Sequence, residues 1–192
     1  MLLAAGGSSR LGQPKQLLSI GAKSLIRHSI EIAMQSKVRD IYVVLGAYKE
    51  IVQAEVEGMN INIIDNPEWP LGMSSSIQKG INHVCSLSSQ PDAILIMLCD
   101  QPLVYAEALD KLIDKYCTSD AKIVNCHYGE SFGPPVLFDQ SLFVDLQNLQ
   151  SADGAKEVVQ KNRDVLQFIT LKEGVIDIDT ENDYRAFLAR LH

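Results

Sequence analysis

The first fifteen residues read MLLAAGGSSRLGQPK, and the rest of the chain is organised around them. A short apolar run at residues 2–5 changes abruptly to two glycines and two serines, which predicts a strand that ends in a loop. Such a loop can turn its backbone N–H groups toward an anion, and Arg10 and Lys15 add positive charge. The stretch therefore predicts a cradle for a triphosphate.

Two common phosphate motifs do not occur in this loop. No Gly-Lys-Ser/Thr follows the glycines, and the dinucleotide pattern G-x-G-x-x-G is missing. An ordinary glycine-rich turn between a strand and a helix is the alternative interpretation. The position at the end of the first strand, together with both an arginine and a lysine, favours phosphate binding.

The composition is that of a globular chain of 192 residues, 46% of them hydrophobic, with a net charge of −7. This length supports one sizeable core, so we expect one domain over residues 1–192. The negative charge argues against a general nucleic-acid binder, although a nucleotide site needs only local positive charge. No apolar run approaches the roughly 20 residues that span a bilayer, and no signal peptide is evident, so we expect a cytoplasmic protein without a membrane partner.

Short apolar runs alternate with segments of helical periodicity along the chain. The predicted strands are residues 2–5, 41–45, 61–64, 93–99, 122–126, 165–171 and 175–178. The predicted helices are residues 24–36, 48–56, 72–85, 106–116, 140–149, 155–161 and 181–191. We predict an irregular turn at residues 132–135. The serines at 74–76 are predicted to cap the start of the helix at 72–85, and Thr180 with Asp183 to cap the start of the helix at 181–191. The alternation predicts a three-layer α/β fold with a mainly parallel central sheet.

One aspartate stands directly after the strongest buried-strand run. Ligands in such folds lie outside the carboxyl ends of the strands. We therefore expect the glycine loop, residues 72–76 and Asp100 to lie at the same edge of the sheet. Magnesium prefers hard oxygen ligands and usually takes one or two carboxylates with substrate phosphates, so Asp100 is a candidate metal ligand. A helix cap or a turn aspartate before Pro102 is the alternative.

A second carboxylate for the metal is expected from the run Asp177-Ile-Asp179. On a strand the two aspartates would share one face, with the isoleucine on the other. Asp179 is nearer the carboxyl end of the predicted strand, so we choose it, and a capping or loop role is the alternative for either aspartate. Nucleotidyl transfer needs mainly positioning, a metal ion and positive charge at the developing pyrophosphate. Arg10, Lys15 and Asp100 with Mg²⁺ would suffice as the catalytic set.

These motifs, in this order, resemble a known family. The first loop is similar to the L-A-A-G-x-S-x-R-x-G-x-x-K signature of the small nucleotidyltransferases, and the similarity continues in five later stretches. They are Asn66-Pro67 and residues 72–77 (GMSSSI), 98–102 (LCDQP), 132–138 (FGPPVLF) and 177–183 (DIDTEND). The whole set resembles the molybdenum cofactor cytidylyltransferase group and covers essentially the entire chain.

The resemblance implies a Rossmann-like nucleotidyltransferase fold and the transfer of CMP from CTP to molybdenum-bound molybdopterin, with Mg²⁺, to give the cytosine dinucleotide form and pyrophosphate. It implies that the first loop holds the triphosphate, that Asp100 holds the metal and that Ser75 and Ser76 lie near the ribose or base. It also implies delivery of the cofactor to hydroxylases of the xanthine dehydrogenase type. The predicted nucleotide-binding residues are Leu3, Ala4, Ala5, Gly6, Gly7, Ser8, Ser9, Arg10, Gly12, Lys15, Asn66, Ser75 and Ser76.

Two departures from the family pattern fall in the half expected to bind the second substrate. Where well-known members have G-H-P-V, this chain has Pro134 in place of the imidazole. Where the family tends to have G-D-x-G-A-R, residues 151–156 read SADGAK. The lysine at the end of this run cannot make the bidentate hydrogen bonds to phosphate that an arginine makes. The residues predicted for the second substrate are Gly133, Pro135, Asp153, Gly154 and Lys156.

The departures keep two other functions open. One is a nucleotidyltransferase for another phosphorylated acceptor, such as a sugar phosphate or an alcohol phosphate. The other is a non-catalytic accessory protein that handles the cofactor during molybdoenzyme maturation. The preference for CTP over GTP rests on the resemblance alone.

Overall fold

The computed structural model describes residues 1–129, 131–150, 152, 154–171 and 176–190. The strands are β1 (Leu2–Ala4), β2 (Ser19–Ile20), β3 (Lys23–Ser24), β4 (Tyr42–Leu45), β5 (Asn62–Asp65), β6 (Ala93–Leu98), β7 (Ile123–His127), β8 (Phe132–Asp139) and β9 (Leu166–Thr170). The helices are α1 (Leu25–Gln35), α2 (Lys49–Glu55), α3 (Met73–Cys85), α4 (Ala106–Cys117), α5 (Phe143–Gln147), α6 (Lys156–Lys161) and α7 (Glu181–Leu188). Over these described ranges, no helix has the length and apolarity needed to cross a membrane.

Seven strands form one sheet in the order β5-β4-β1-β6-β8-β7-β9. The first strand lies inside the sheet, where Leu3 pairs in parallel with Val44 of β4 and with Leu98 of β6. Among the described strands of this sheet, β8 alone runs against its neighbours, since it pairs antiparallel with β6 and with β7. The sheet is therefore mainly parallel, and β1 lies where the strand order reverses, which is where α/β folds bind ligands.

Helices cover both faces of the sheet, so the molecule has three layers. Alternate residues of β1, and Ala5 directly after it, belong to opposite faces: Leu2 and Ala4 join one buried core, while Leu3 and Ala5 join the other. The first core takes helical side chains from α1, α2, α4 and α7, and the second takes them from α3, α5 and α6. The predicted three-layer α/β fold with a mainly parallel sheet is confirmed.

Local sequence explains where several helices begin. Ser24 caps α1 by accepting a backbone hydrogen bond, and Thr180 with Asp183 forms the predicted capping box on α7. The predicted serine cap of α3 is wrong. Gly72 is the N-cap, with φ 99°, and no side chain in the described chain caps this helix. The serines at 74–76 lie inside α3 and are buried, so they cannot serve its exposed end.

The Phe-Gly-Pro-Pro run at residues 132–135 is not an irregular turn, because it forms the first half of β8. Pairing with β7 continues on both sides of a register shift, with Val136 opposite Asn125 and Gly133 opposite Cys126. The two prolines lie within this shift, where a residue without an N–H group is tolerated. A bulge inside a strand, rather than the end of one, accounts for the two prolines.

Two further differences concern short segments. The predicted strand at 175–178 is wrong over the residues described: residues 176–178 belong to no strand, and Val175 lies outside the described residues. Ile178 is nevertheless buried, and its backbone N–H donates to Asp100 O at 2.9 Å. This contact places the aspartates on either side of Ile178 near the end of β6. The hairpin of β2 and β3 was not predicted, because each strand has only two residues.

Candidate active site

The backbone of the loop between β1 and Lys15 is shaped by Ser8. This residue has φ 50°, a left-handed conformation, and its carbonyl accepts hydrogen bonds from Leu11 N and Gly12 N. Its hydroxyl accepts another from Lys15 N at 3.0 Å. Within the described residues, the backbone N–H groups of residues 6–10 donate to no protein acceptor. These donors are consequently available to an anion.

Lys15 lies between two carboxylates that come from distant parts of the chain. Its Nζ donates to Asp100 Oδ2 at 2.8 Å and to Asp179 Oδ1 at 2.9 Å. Arg10 Nη2 donates to the other oxygen of Asp179 at 2.7 Å. The structure thus brings together the predicted catalytic residues Arg10, Lys15 and Asp100 and the predicted metal residues Asp100 and Asp179.

The charges in this cluster shift one another's protonation equilibria. Burial lowers the pKa of Lys15, but the charges and hydrogen bonds of Asp100 and Asp179 outweigh burial, so the net pKa is raised. Burial raises the pKa of Asp179, but the hydrogen bond and charge of Lys15 and the charge of Arg10 bring it below its usual value. Lys15 and Asp179 therefore carry opposite charges at neutral pH.

The two carboxylates have the chemistry to hold a divalent cation. Asp100 Oδ1 is buried and has no hydrogen-bond partner in the part of the chain that the structure describes. The ammonium of Lys15 already occupies the position between Asp100 and Asp179. Across the described ranges, no group of three or more His, Cys, Asp or Glu side chains could hold a metal. A cation here would therefore complete its oxygen ligands with substrate phosphates and water, as Mg²⁺ usually does.

The predicted nucleotide residues beyond the first loop form a buried network. Asn66 Nδ2 donates to Ser75 Oγ and to Ser76 Oγ, both at 3.0 Å. The single hydroxyl proton of Ser75 is shared between the carbonyls of Glu68 and Gly72. Asn66 is fully buried, and both serines are less than a tenth exposed. These polar atoms hold the 66–72 loop against α3, so the geometry gives no support to a direct contact with a nucleotide.

A cavity of about 380 Å³ opens beside β6 and contains part of the predicted second-substrate set. Gly133 and Lys156 line it, together with apolar side chains. These apolar side chains are Met73, Leu98, Phe132, Pro134, Val136, Ala155 and Val159, and Asn125 and Ser131 add polar groups to the lining. Pro135 is buried in β8, and Gly154 donates its N–H to a serine hydroxyl of α3 at 3.1 Å. Asp153 lies outside the described residues.

Comparison with protein families gives a match over residues 1–165 to the MobA-like NTP transferase domain. The chain belongs to this family. The match includes the glycine loop, Lys15 and Asp100, while Asp179 lies beyond it. As a MobA-like NTP transferase, the chain is a nucleotidyltransferase, and its substrate is a nucleoside triphosphate.

Three relatives of this MobA-like chain cover nearly all of it. The purine catabolism protein PucB of Bacillus subtilis is 27% identical over 96% of this chain and 92% of its own length. The crystal structure of an Rv0371c homologue from Mycobacterium sp. strain JC1 is 31% identical, covers 100% of this chain and 96% of its own, and has a TM-score of 0.86. Rv0371c of Mycobacterium tuberculosis, solved in complex with manganese, is 25% identical over 98% of this chain and 96% of its own, with a TM-score of 0.79. The nucleotidyltransferase fold therefore extends beyond the family match.

Two residues near the cluster were not predicted to act together in this MobA-like site. Gln101 is buried, and its Nε2 donates to Asp177 Oδ1 at 3.0 Å. Burial raises the pKa of Asp177, the hydrogen bond from Gln101 opposes this, and the charge of Asp100 adds to the rise. The Asp-Gln-Pro run at 100–102 marks Gln101, but the fold is needed to show which carboxylate it reaches 76 residues away.

Proposed function

We propose that this MobA-like transferase is a Mg²⁺-dependent enzyme that transfers CMP from CTP to molybdenum-bound molybdopterin. The products are molybdopterin cytosine dinucleotide and pyrophosphate. The observation that carries the proposal is the position of Lys15, whose Nζ lies between Asp100 and Asp179 beside the glycine loop. Carboxylates that can hold a cation, next to backbone N–H groups that can hold phosphates, meet the requirements of a nucleoside triphosphate with its metal.

In this proposal the chain supplies positioning and charge. The N–H groups of residues 6–10 and the guanidinium of Arg10 bind the triphosphate. Lys15 leaves Asp100 and Asp179, contacts the phosphates instead, and stabilises the negative charge that develops on the pyrophosphate. Asp100 and Asp179 hold Mg²⁺, which when bound supplies charge neutralisation at the phosphates. The manganese complex of Rv0371c supports a divalent cation in a relative of this chain.

The acceptor is assigned to the cavity beside β6. Its apolar walls, which include Phe132 and Pro134, suit the flat rings of a pterin better than the hydroxyl groups of a sugar. Lys156 also lines this cavity and provides positive charge for a phosphate on the acceptor. Leu98 lines it as well and is the last residue of β6, so the cavity reaches the end of the strand that Asp100 follows.

We also propose that the product is passed to a hydroxylase of the xanthine dehydrogenase type. The similarity to PucB supports this step, because the name of that protein places it in purine catabolism and xanthine is a purine. The test is the transfer of cofactor from this protein to a cofactor-free xanthine dehydrogenase. Hydroxylase activity that rises no faster than in a buffer control would contradict the step.

A single nucleotidyltransferase domain over residues 1–192 is part of the proposal. Ile178 and Phe187 lie beyond the family match, yet both are fully buried in the same core as Leu2 and Leu45. Their burial supports one cooperative unit. Limited proteolysis is expected to leave one resistant fragment that contains both the glycine loop and α7, and separate stable fragments would contradict a single domain.

Release of pyrophosphate tests the proposed reaction. The protein is incubated with Mg²⁺, with each of the four ribonucleoside triphosphates, and with molybdenum-bound molybdopterin, glucose 1-phosphate or choline phosphate. Release that needs both CTP and the molybdopterin supports the proposal. Release with another acceptor alone would assign the protein to sugar or alcohol phosphates. Binding of molybdopterin without release in any combination would indicate the non-catalytic accessory function instead.

A further inference from the structure

Gln16 connects the buried end of β1 to the glycine loop. Its side chain is 2% exposed, and its Nε2 donates to Ala4 O at 2.8 Å and to Gly6 O at 3.0 Å. Both amide protons are therefore used on main-chain carbonyls that flank Ala5. These acceptors also determine the orientation of the amide, because exchanging its N and O would set an oxygen against two carbonyl oxygens.

The bonds from Gln16 determine which way the loop backbone faces. Ala5 O accepts a hydrogen bond from Ala47 N at 3.0 Å, so the carbonyls of residues 4–6 are all held by donors of the protein. In a trans peptide the C=O of one residue and the N–H of the next point in opposite directions. Holding the carbonyl of Gly6 inward therefore turns the N–H of Gly7 outward, toward the space where an anion can bind.

We propose that Gln16 is a positioning residue for the triphosphate, which holds the loop N–H groups toward the phosphates without touching them. This inference rests on the proposed function, because it requires a triphosphate at the loop. Gln16 Oε1 is buried without a hydrogen-bond partner among the described residues. The two bonds donated to Ala4 and Gly6 are accordingly the polar contacts that require a glutamine at this position.

Gln78 provides a matched control on the other side of the sheet. Its Nε2 also donates to two main-chain carbonyls, those of Gln147 at 3.1 Å and Leu149 at 3.0 Å. Gln78→Met and Gln16→Met thus remove the same pair of bonds, one pair at the loop and the other away from it. Gln16→Met is expected to weaken binding of CTP with Mg²⁺ by at least about tenfold, while Gln78→Met changes it by less than about twofold. Isothermal titration calorimetry without acceptor measures the Kd, and thermal denaturation shows whether the two variants lose similar stability.

Gln16→Glu gives a readout that a purely structural function would not change. An ionised carboxylate has no proton to donate to the carbonyls of Ala4 and Gly6, whereas a protonated carboxyl group donates one. Binding of CTP by this variant is expected to strengthen as the pH falls from about 8 to about 5.5, relative to wild type over the same range. Gln16→Met has no titrating group at this position and is expected to follow the wild-type pH dependence.

The outcomes separate this inference from the function on which it rests. CTP binding by Gln16→Met that equals wild type overturns the inference while the proposed function stands. If Gln16→Met does not fold, a Gln16→Glu variant whose relative affinity stays constant with pH overturns it equally. A wild-type protein that binds none of CTP, ATP, GTP and UTP overturns the proposed function itself.

Discussion

Lys15 and Asp100 form an ion pair of 2.8 Å that joins the loop after β1 to the end of β6 across 85 residues of sequence. The two side chains are only 15% and 21% exposed. Removing charged groups from water costs free energy unless each charge has an oppositely charged or hydrogen-bonding partner. Asp179 supplies a further partner to Lys15, so the ammonium balances two carboxylates at once. In the proposed function, nucleotide binding has to rearrange this charge balance, and variants of these residues can test that.

Replacing Lys15 with methionine is expected to increase the affinity of the nucleotide-free protein for Mn²⁺ by about tenfold. The ammonium occupies the position between Asp100 and Asp179, so a metal ion must displace it, and the variant has nothing to displace. Titration calorimetry with Mn²⁺ measures the Kd. Lys37→Met removes an exposed ion pair with Asp114 and should leave that Kd unchanged. An equal or weaker affinity in Lys15→Met would mean that the two carboxylates do not hold a metal together.

A methyl group at Gly46 is expected to destabilise the base of the glycine loop. Its Cβ would lie 2.7 Å from Ala5 O and 2.7 Å from Trp69 Cβ. Ala5 O belongs to the main chain and cannot rotate away, so Gly46→Ala should lower the free energy of unfolding by about 1–3 kcal/mol. A Cβ at Gly6 would have no atom within 4 Å, so Gly6→Ala should change the free energy of unfolding by less than about 0.5 kcal/mol. Urea denaturation measures both variants, and equal effects would argue against this close contact.

Asp139 is expected to make stability depend on pH in the acid range. Burial raises the pKa of its carboxyl group, but hydrogen bonds from Ser141 and Tyr116 outweigh burial and lower the pKa to about 2. A carboxylate whose pKa is lower in the folded state stabilises the fold above its unfolded pKa, and this contribution is lost as the pH falls from about 4 to about 2. Over that pH window, the free energy of unfolding of the wild type should fall by about 2 kcal/mol more than that of Asp139→Asn. Urea denaturation at several pH values tests this, and parallel losses in the two proteins would disprove it.

Local patterns explain which parts of the molecule could be predicted. The strands β1 and β6 are apolar runs that end at a glycine loop and at Asp100. The rule that ligands gather at the carboxyl ends of parallel strands predicted that this loop and this aspartate share one edge of the sheet, and the structure adds the contact between Lys15 and Asp100. Each of these signals is contained within a few consecutive residues. The fold class followed from the same alternation of strands and helices.

Features that depend on distant partners could not be predicted in this way. The prolines at 134–135 are typical of a turn, and only the pairing of β8 with β7 shows that a register shift accommodates them. In the sequence, the serines at 75–76 are typical of a helix cap. In the structure they are buried and accept hydrogen bonds from Asn66. The hydrogen bonds of Gln16 and Gln101 have no periodic signature, because a polar side chain can reach any backbone or carboxylate that the fold brings near.

The transfer of CMP itself is the measurement that tests the proposed site most directly. Wild-type protein incubated with Mg²⁺, molybdenum-bound molybdopterin and CTP labelled at its α-phosphate should form labelled molybdopterin cytosine dinucleotide. Lys15→Ala and Asp100→Ala should each lower the turnover by about a hundredfold or more, because each removes one electrostatic partner of the transition state. Lys37→Ala, at an exposed ion pair, should retain wild-type turnover. Near-normal turnover in both Lys15→Ala and Asp100→Ala would contradict the assignment of the site.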